Sequence, residues 1–381
     1  MFFKALDRAN AIRTAILQSE IIAYEIDADV DDENVIEIFA RLNQQGVRLR
    51  PSDLAAARLT GHMAGFRNRA REVLSSLELV KFAVPEGKEE KGRSGGLVDT
   101  DLLIRASLFL GARLIRYRDV EKQKAPHGQA YQYVEANWEK AVTGFQQAVS
   151  FFRGEGIPEG SWLPYRYLLL PPAIASAKGH IFGPKWIAWM ILASLWSHYA
   201  GETETKLQKD CSFAEKGDIH GLIDHVTSRA KRVESAIPEI EDFTQNIVNQ
   251  NGVLLALIIH FARTGTRSFP AQKLITSADE PLEEHHIFPR SVIDSYPDRD
   301  NEFVPDRLGN ITLLTRSDNE HLGDIEPAKY LPTIEEDERK GHCIPDNPTL
   351  WNVEQYPEFC RQRETILANT VRDLLAQLTM P

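Results

Sequence analysis

The chain has 381 residues, 43% of them hydrophobic, and a formal net charge of −11. That length allows two or three domains with large cores, and the composition is that of an ordinary globular protein. The acidic balance argues against non-specific polyanion binding as the main business of the chain, and three scattered cysteines (Cys211, Cys343 and Cys360) without a Cys-x-x-Cys argue against a disulfide scaffold or a zinc ribbon.

The opening stretch, Met1 to Asp7, lacks the charged start and long apolar core of a signal peptide. With the scattered cysteines, this fits a cytoplasmic protein. The most apolar run, Trp186 to Trp196, is too short to span a bilayer and predicts a buried helix, so no membrane association is expected.

Ala5, Leu6, Ala9, Ile12, Ala15 and Ile16 recur at helical spacing and predict a helix over 4–19. The apolar run 21–26 predicts a short strand. Asp31 and Asp32 supply a cap and a first-turn acid for a helix over 35–42, and Asn43 to Gly46 forms a turn. Pro51 suits the first position of the next helix, with Asp53 near its positive end.

The stretch Val35-Ile-Glu-Ile-Phe-Ala-Arg-Leu-Asn-Gln-Gln-Gly-Val-Arg-Leu-Arg-Pro-Ser-Asp-Leu-Ala55 carries a first resemblance. It resembles the end of the N-terminal domain in GmrSD-type modification-dependent restriction enzymes. Those proteins pair a ParB-like, nucleotide-hydrolysing domain with a C-terminal HNH domain. Their pattern is a helix ending Phe-x-x-Leu-Asn, a Gly turn, then Leu-Ser-Pro-x-Glu-Leu; Arg50 and Asp53 depart from it. The family's Asp-Gly-Gln-Gln-Arg nucleotide motif is absent, so residues 1–80 read as a distal remnant of that domain and no nucleotide hydrolysis is assigned.

Residues 86–96, rich in Gly, Lys and Glu, predict a loop or linker. Helices follow over 102–115, 131–152, 185–199, 219–233, 237–248 and 253–261, making a helical middle domain over 97–265. His198 in this array reads as a satisfied histidine. A third domain, 266–381, ends in a helix over 356–378. The fold class is therefore mainly α: a multi-helical array with a small ββα element near the C-terminus.

That element is the stretch Leu282-Glu-Glu-His-His-Ile-Phe-Pro-Arg290, answered by Leu308-Gly-Asn-Ile-Thr-Leu-Leu-Thr-Arg-Ser-Asp-Asn319. The pattern is strand, loop, strand, helix. Near a strand end, two adjacent imidazoles can serve one site, one holding a metal and one facing the substrate. A neutral imidazole titrates near ~6.5, close to working pH, and can take a proton from water. One imidazole and one amide oxygen make a sparse ligand set that suits Mg²⁺ or Mn²⁺ better than a closed zinc cage.

The arrangement resembles the HNH, or ββα-metal, nucleases. The resemblance implies that His286 is the general base, His285 the first metal ligand, Asn310 the residue that steadies the base, and Asn319 the helix ligand. It also implies a DNA substrate. Arg290, Arg316 and Arg363 are the expected nucleic-acid contacts, because phosphate is normally held by Lys and Arg. Glu283, Glu284 and His321 read as solvated side chains, and His342-Cys343 has no partner spaced for a metal. The family further implies defence against modified phage DNA; the rest of the nucleotide-hydrolysing domain is missing through truncation, gene splitting or decay, and in the split case a separate subunit carries it. Two rivals remain at this point: an HNH nickase or RNA-cutting toxin, and a non-enzymatic helical partner carrying a retired finger.

Overall fold

The computed structural model describes residues 2–18, 25, 30, 34–35, 38, 51–83, 97–116, 119, 128–228, 237–245, 247–275, 280–297 and 301–380. The expected strand over 21–26, the turn over 43–46 and the loop over 86–96 lie outside the described residues, as does most of the expected helix over 35–42. The chain divides into two compact units, Met1–Gly61 and His62–Pro381. The first carries helix α1 (Phe2–Leu17) and most of α2 (Pro51–His62), which starts at a proline with Asp53 in its first turn.

The second unit is mainly helical. Its elements are α3 (Phe66–Glu78), α4 (Thr100–Ala112), α5 (Gly128–Gly154), α6 (Leu170–Ala177), α7 (Pro184–Leu195), α8 (Thr203–Ala214), α9 (Ile219–Thr227), α10 (Ile240–Thr244) and α11 (Gln250–Thr264). Asp99 caps α4 by accepting from the Leu102 amide at 2.9 Å, which satisfies one of the unpaired donors at a helix start. Every residue from Asp101 to Leu110 is buried, because α4 lies against α5 and α6. A helix apolar all round is an inner helix, and α7, buried from Trp186 to Leu195, is another. The close approach of α5 to α6 requires Gly144: a Cβ there would stand 2.2 Å from the Ala173 carbonyl oxygen. The expected helix over 237–248 is shorter, because the Glu239–Asp242 capping box starts it late and Asn249 caps α11 soon after.

Strand β1 (Leu282–His286) pairs antiparallel with β2 (Ile311–Thr315), with Leu282 opposite Thr315 and His286 opposite Ile311. This is the sheet among the described residues. Helix α12 (Arg290–Ser295) lies in the connection, and α13 (Arg316–Leu322) follows β2 at once. The observed order is strand, loop, strand, helix. Two short helices, α14 (Pro327–Tyr330) and α15 (Glu336–Gly341), lead to the long α16 (Tyr356–Thr379).

Helix α16 joins the parts. It packs on α7, α10 and α11, and also on the turn Leu308–Asn310 that precedes β2. The expected middle segment (97–265) and C-terminal segment (266–381) thus lie together in the second unit. Phe288, just past β1, sits edge-on to Tyr356 and Phe359 of α16 at 5.3 and 5.0 Å. Gly309 meets the same helix, and a Cβ on it would fall 2.6 Å from the Cys360 Cα and carbonyl oxygen. The three cysteines are free and buried. Among the described residues no helix is long and apolar enough to cross a membrane.

Candidate active site

Side chains alternate along β1, so Glu283 and His285 share one face while Glu284 and His286 share the other. On the first face His285 is only 2% exposed, and its Nδ1 lies 2.9 Å from Asn319 Oδ1 on α13. The Asn319 amide is oriented by its own second contact: Nδ2 donates to Glu283 Oε2 at 2.9 Å, which turns Oδ1 to the imidazole. That hydrogen bond, with the Arg316 guanidinium second, holds the Glu283 carboxyl below its usual range. The start of α13 is pinned by buried Asp318, which accepts from Ser268, Thr315 and the Ala271 amide.

Burial pushes the His285 imidazole down to about 4, so the ring is neutral near pH 7. Its Nε2 lies 3.5 Å from the Tyr330 hydroxyl, which itself donates to the Ile287 carbonyl at 3.0 Å. With the ring proton on Nδ1 the Asn319 contact is a hydrogen bond to the amide oxygen; with it on Nε2 the Nδ1 lone pair and that oxygen are a nitrogen and an oxygen lone-pair donor side by side. A neutral imidazole is the form that ligates a metal ion. The residues present therefore fit a divalent ion held by His285 and Asn319.

On the second face His286 Nε2 donates to Asp306 Oδ1 at 2.9 Å. A carboxylate on one ring nitrogen fixes the tautomer and leaves Nδ1 to receive a proton. The His286 hydrogen bond, followed by the charge of Arg290, keeps the Asp306 carboxyl below the usual range. Arg290 also donates to Asp306.

Asn310 is fully buried, and its side-chain hydrogen bonds go to backbone groups. Its Oδ1 accepts from the Phe288 amide at 2.8 Å, and its Nδ2 donates to the carbonyls of Phe288 and Pro305 at 3.0 and 2.9 Å. It clasps the backbone just after His286 to the backbone just before Asp306. Its steadying role runs through the main chain.

Arg363 requires a correction. It is 0% exposed, and its guanidinium donates to the carbonyls of His342, Gly309 and Ile311 at 3.1, 3.1 and 2.8 Å. A buried guanidinium spent on main-chain oxygens cannot meet a phosphate, so Arg363 is a scaffold residue. Its neighbour Glu364 accepts from Arg307 and from the Gly309 amide. Arg290 and Arg316 do lie on the surface, each paired with a carboxylate, Asp306 and Glu283 respectively. His321 is exposed. Glu283, expected as a solvated charge, is instead the residue that orients Asn319.

His342 is a core residue. Its Nδ1 accepts from the Thr312 hydroxyl and its Nε2 donates to the Arg267 carbonyl, both at 2.8 Å. Burial pushes it to about 3, against the Arg267 hydrogen bond and with help from the Arg363 charge. A folded-state value this low means the unfolded chain takes up the proton first. The contribution to stability is complete above the unfolded value of ~6.5 and is lost progressively as pH falls from there towards about 3. Moving from pH 7 to about pH 5 should cost about 2 kcal/mol through this one ring. His342→Gln should flatten that slope, as read from urea midpoints at the two pH values; an unchanged slope would refute it.

Three contributors escaped sequence reading: Asp306, Tyr330 and Glu283. Glu283 read as a solvated charge, Asp306 carries no local motif, and Tyr330 approaches His285 from a later helix. No model of a known protein family matches the chain, and no curated protein is significantly similar to it.

Proposed function

We propose that the chain is a metal-dependent phosphodiester hydrolase that cuts DNA, working through an HNH-type finger made of β1, β2 and α13. What supports this most is one juxtaposition at the end of β1. His285 and Asn319 bring a nitrogen and an oxygen ligand within 2.9 Å, and the adjacent His286 has its tautomer fixed by Asp306.

In this reading His286 Nδ1 takes the proton of the attacking water, and Asp306 holds the imidazolium that forms. Asn310 keeps the two supporting segments in register. His285 and Asn319 hold a Mg²⁺ or Mn²⁺ ion, with Glu283 fixing the amide; such an ion stabilises charge on the leaving oxygen. Arg290 and Arg316 flank the site, but a phosphate must compete with Asp306 and Glu283 for them. Substrate binding by this chain alone is therefore weak. That weakness favours a separate DNA-sensing subunit, as the restriction-enzyme resemblance implies.

Supercoiled plasmid, plain and base-modified, incubated with Mg²⁺, with Mn²⁺ and with EDTA, tests the reading. Linear product in the metal lanes supports it. Open circles alone would make the chain a nickase. No product with either metal would leave it a non-enzymatic partner and sink the proposal.

The shared-ion reading makes a quantitative claim. His285→Ala and Asn319→Ala should each raise the metal concentration needed for half-maximal cleavage. The double variant should cost less than the sum of the two, because one broken site cannot be broken twice. Strict additivity would show that the two side chains act separately.

A further inference from the structure

A second set of metal-type donors lies on other elements. His198 stands in the turn between α7 and α8, Asp210 on α8 and His225 on α9. They are 3%, 0% and 3% exposed. His198 Nε2 lies 2.9 Å from Asp210 Oδ2, and His225 Nδ1 lies 2.6 Å from Asp210 Oδ1. The two rings are perpendicular, at 85° with centroids 5.1 Å apart, so their nitrogens approach the carboxylate in different planes. One potential ligand atom from each residue falls within a 4.8 Å cluster. Tyr199 donates to Asp210 Oδ2 at 2.8 Å from outside the trio.

We propose that His198, Asp210 and His225 form a closed structural site for a zinc-type divalent cation, with both carboxylate oxygens and two imidazole nitrogens as ligands and the Tyr199 hydroxyl orienting the carboxylate. Charge is the first argument. Asp210 places a carboxyl group, 0% exposed, in the interior with an imidazole nitrogen facing each of its oxygens. A carboxylate buried this deeply is costly unless a cation or a charged hydrogen-bond partner compensates it.

Donor type is the second. Two imidazoles with carboxylate oxygen suit a borderline ion such as Zn²⁺, whereas Mg²⁺ and Ca²⁺ favour oxygen alone. Closure is the third: residues this buried leave no exchangeable position, which marks a structural rather than a catalytic centre. Ligands about 2.0–2.1 Å from a tetrahedral ion stand roughly 3.3 Å apart. The present separations of 2.6 and 2.9 Å would have to open by roughly 0.7 and 0.4 Å. The ion would staple the end of α7 to α8 and α9.

The test uses the full chain carrying His285→Ala and Asn319→Ala, so that the proposed active site cannot contribute. After dialysis against a chelator, Zn²⁺ is titrated in competition with a coloured indicator, and the melting temperature is followed in parallel. One bound zinc per chain and a rise in melting temperature are expected, since a ligand that binds only the folded state stabilises it. Adding His225→Ala should abolish both. No zinc bound by the folded chain, or zinc retained after His225→Ala, would overturn the site and leave a hydrogen-bonded staple. Should the His225→Ala chain fail to fold, X-ray absorption fine structure of the bound zinc decides. Two imidazoles support the site; one imidazole, or sulfur, overturns it.

Discussion

His286→Ala should lower the rate of plasmid cleavage by roughly 10²–10⁴-fold, the usual contribution of a positioned general base, while leaving the melting temperature nearly unchanged. The structure separates the two effects. His286 is half-buried, and it pairs with an exposed carboxylate, Asp306. Exposed ion pairs contribute little to stability, so the fold should tolerate the loss. Asp306→Asn makes the companion measurement. It keeps the shape but weakens the hold on the Nε2 proton, so it should lower the maximal rate with little change in the substrate concentration needed. A His286→Ala protein that still cut at close to the parental rate would remove this imidazole from the chemistry.

Arg363→Met should destabilise the fold by about 3–5 kcal/mol, the scale for removing one partner of a buried charged network. Loss of cleavage should follow. Removing the guanidinium leaves the carbonyls of His342, Gly309 and Ile311 without their buried donor, and each such orphan is expensive. Two of those carbonyls flank Asn310, so the damage passes directly to the backbone that supports His286. A phosphate-contacting arginine would behave in the opposite way, with normal stability and weaker, less salt-sensitive DNA binding. Denaturant midpoints and a salt series on the same variant discriminate the two. A stable variant with a shallower salt slope would restore Arg363 to the surface role first expected of it.

The contrast between Arg363 and His285 shows what was legible in the sequence. The adjacent histidines, the Gly-Asn turn and the Asn on the following helix are local features. Strand alternation and helix periodicity translate such spacing into approximate placement, and the structure does bring His285 and Asn319 together. Most long helices were equally legible, because their apolar residues recur at helical spacing. Arg363 failed because exposure is a tertiary property. A charged residue on an amphipathic helix reads as solvated until another segment, here the turn at Leu308–Asn310, covers it. Asp306 and Glu283 failed for a related reason: a carboxylate's role depends on which donor faces it. The trio on α7 to α9 was invisible because its members come from three separate segments, with no spacing that local geometry would mark.

The place of α16 in the chain has one further effect. His285, His286, Asn310 and Asn319 all leave the ribosome before Tyr356 does. A chain stopped short of that helix carries every group proposed for the chemistry but lacks Arg363, Glu364 and the surface on which Gly309 rests. Assembly of the proposed site therefore waits on the downstream helix. An unfinished copy of the proposed nuclease lacks the support of its site until that helix has been made.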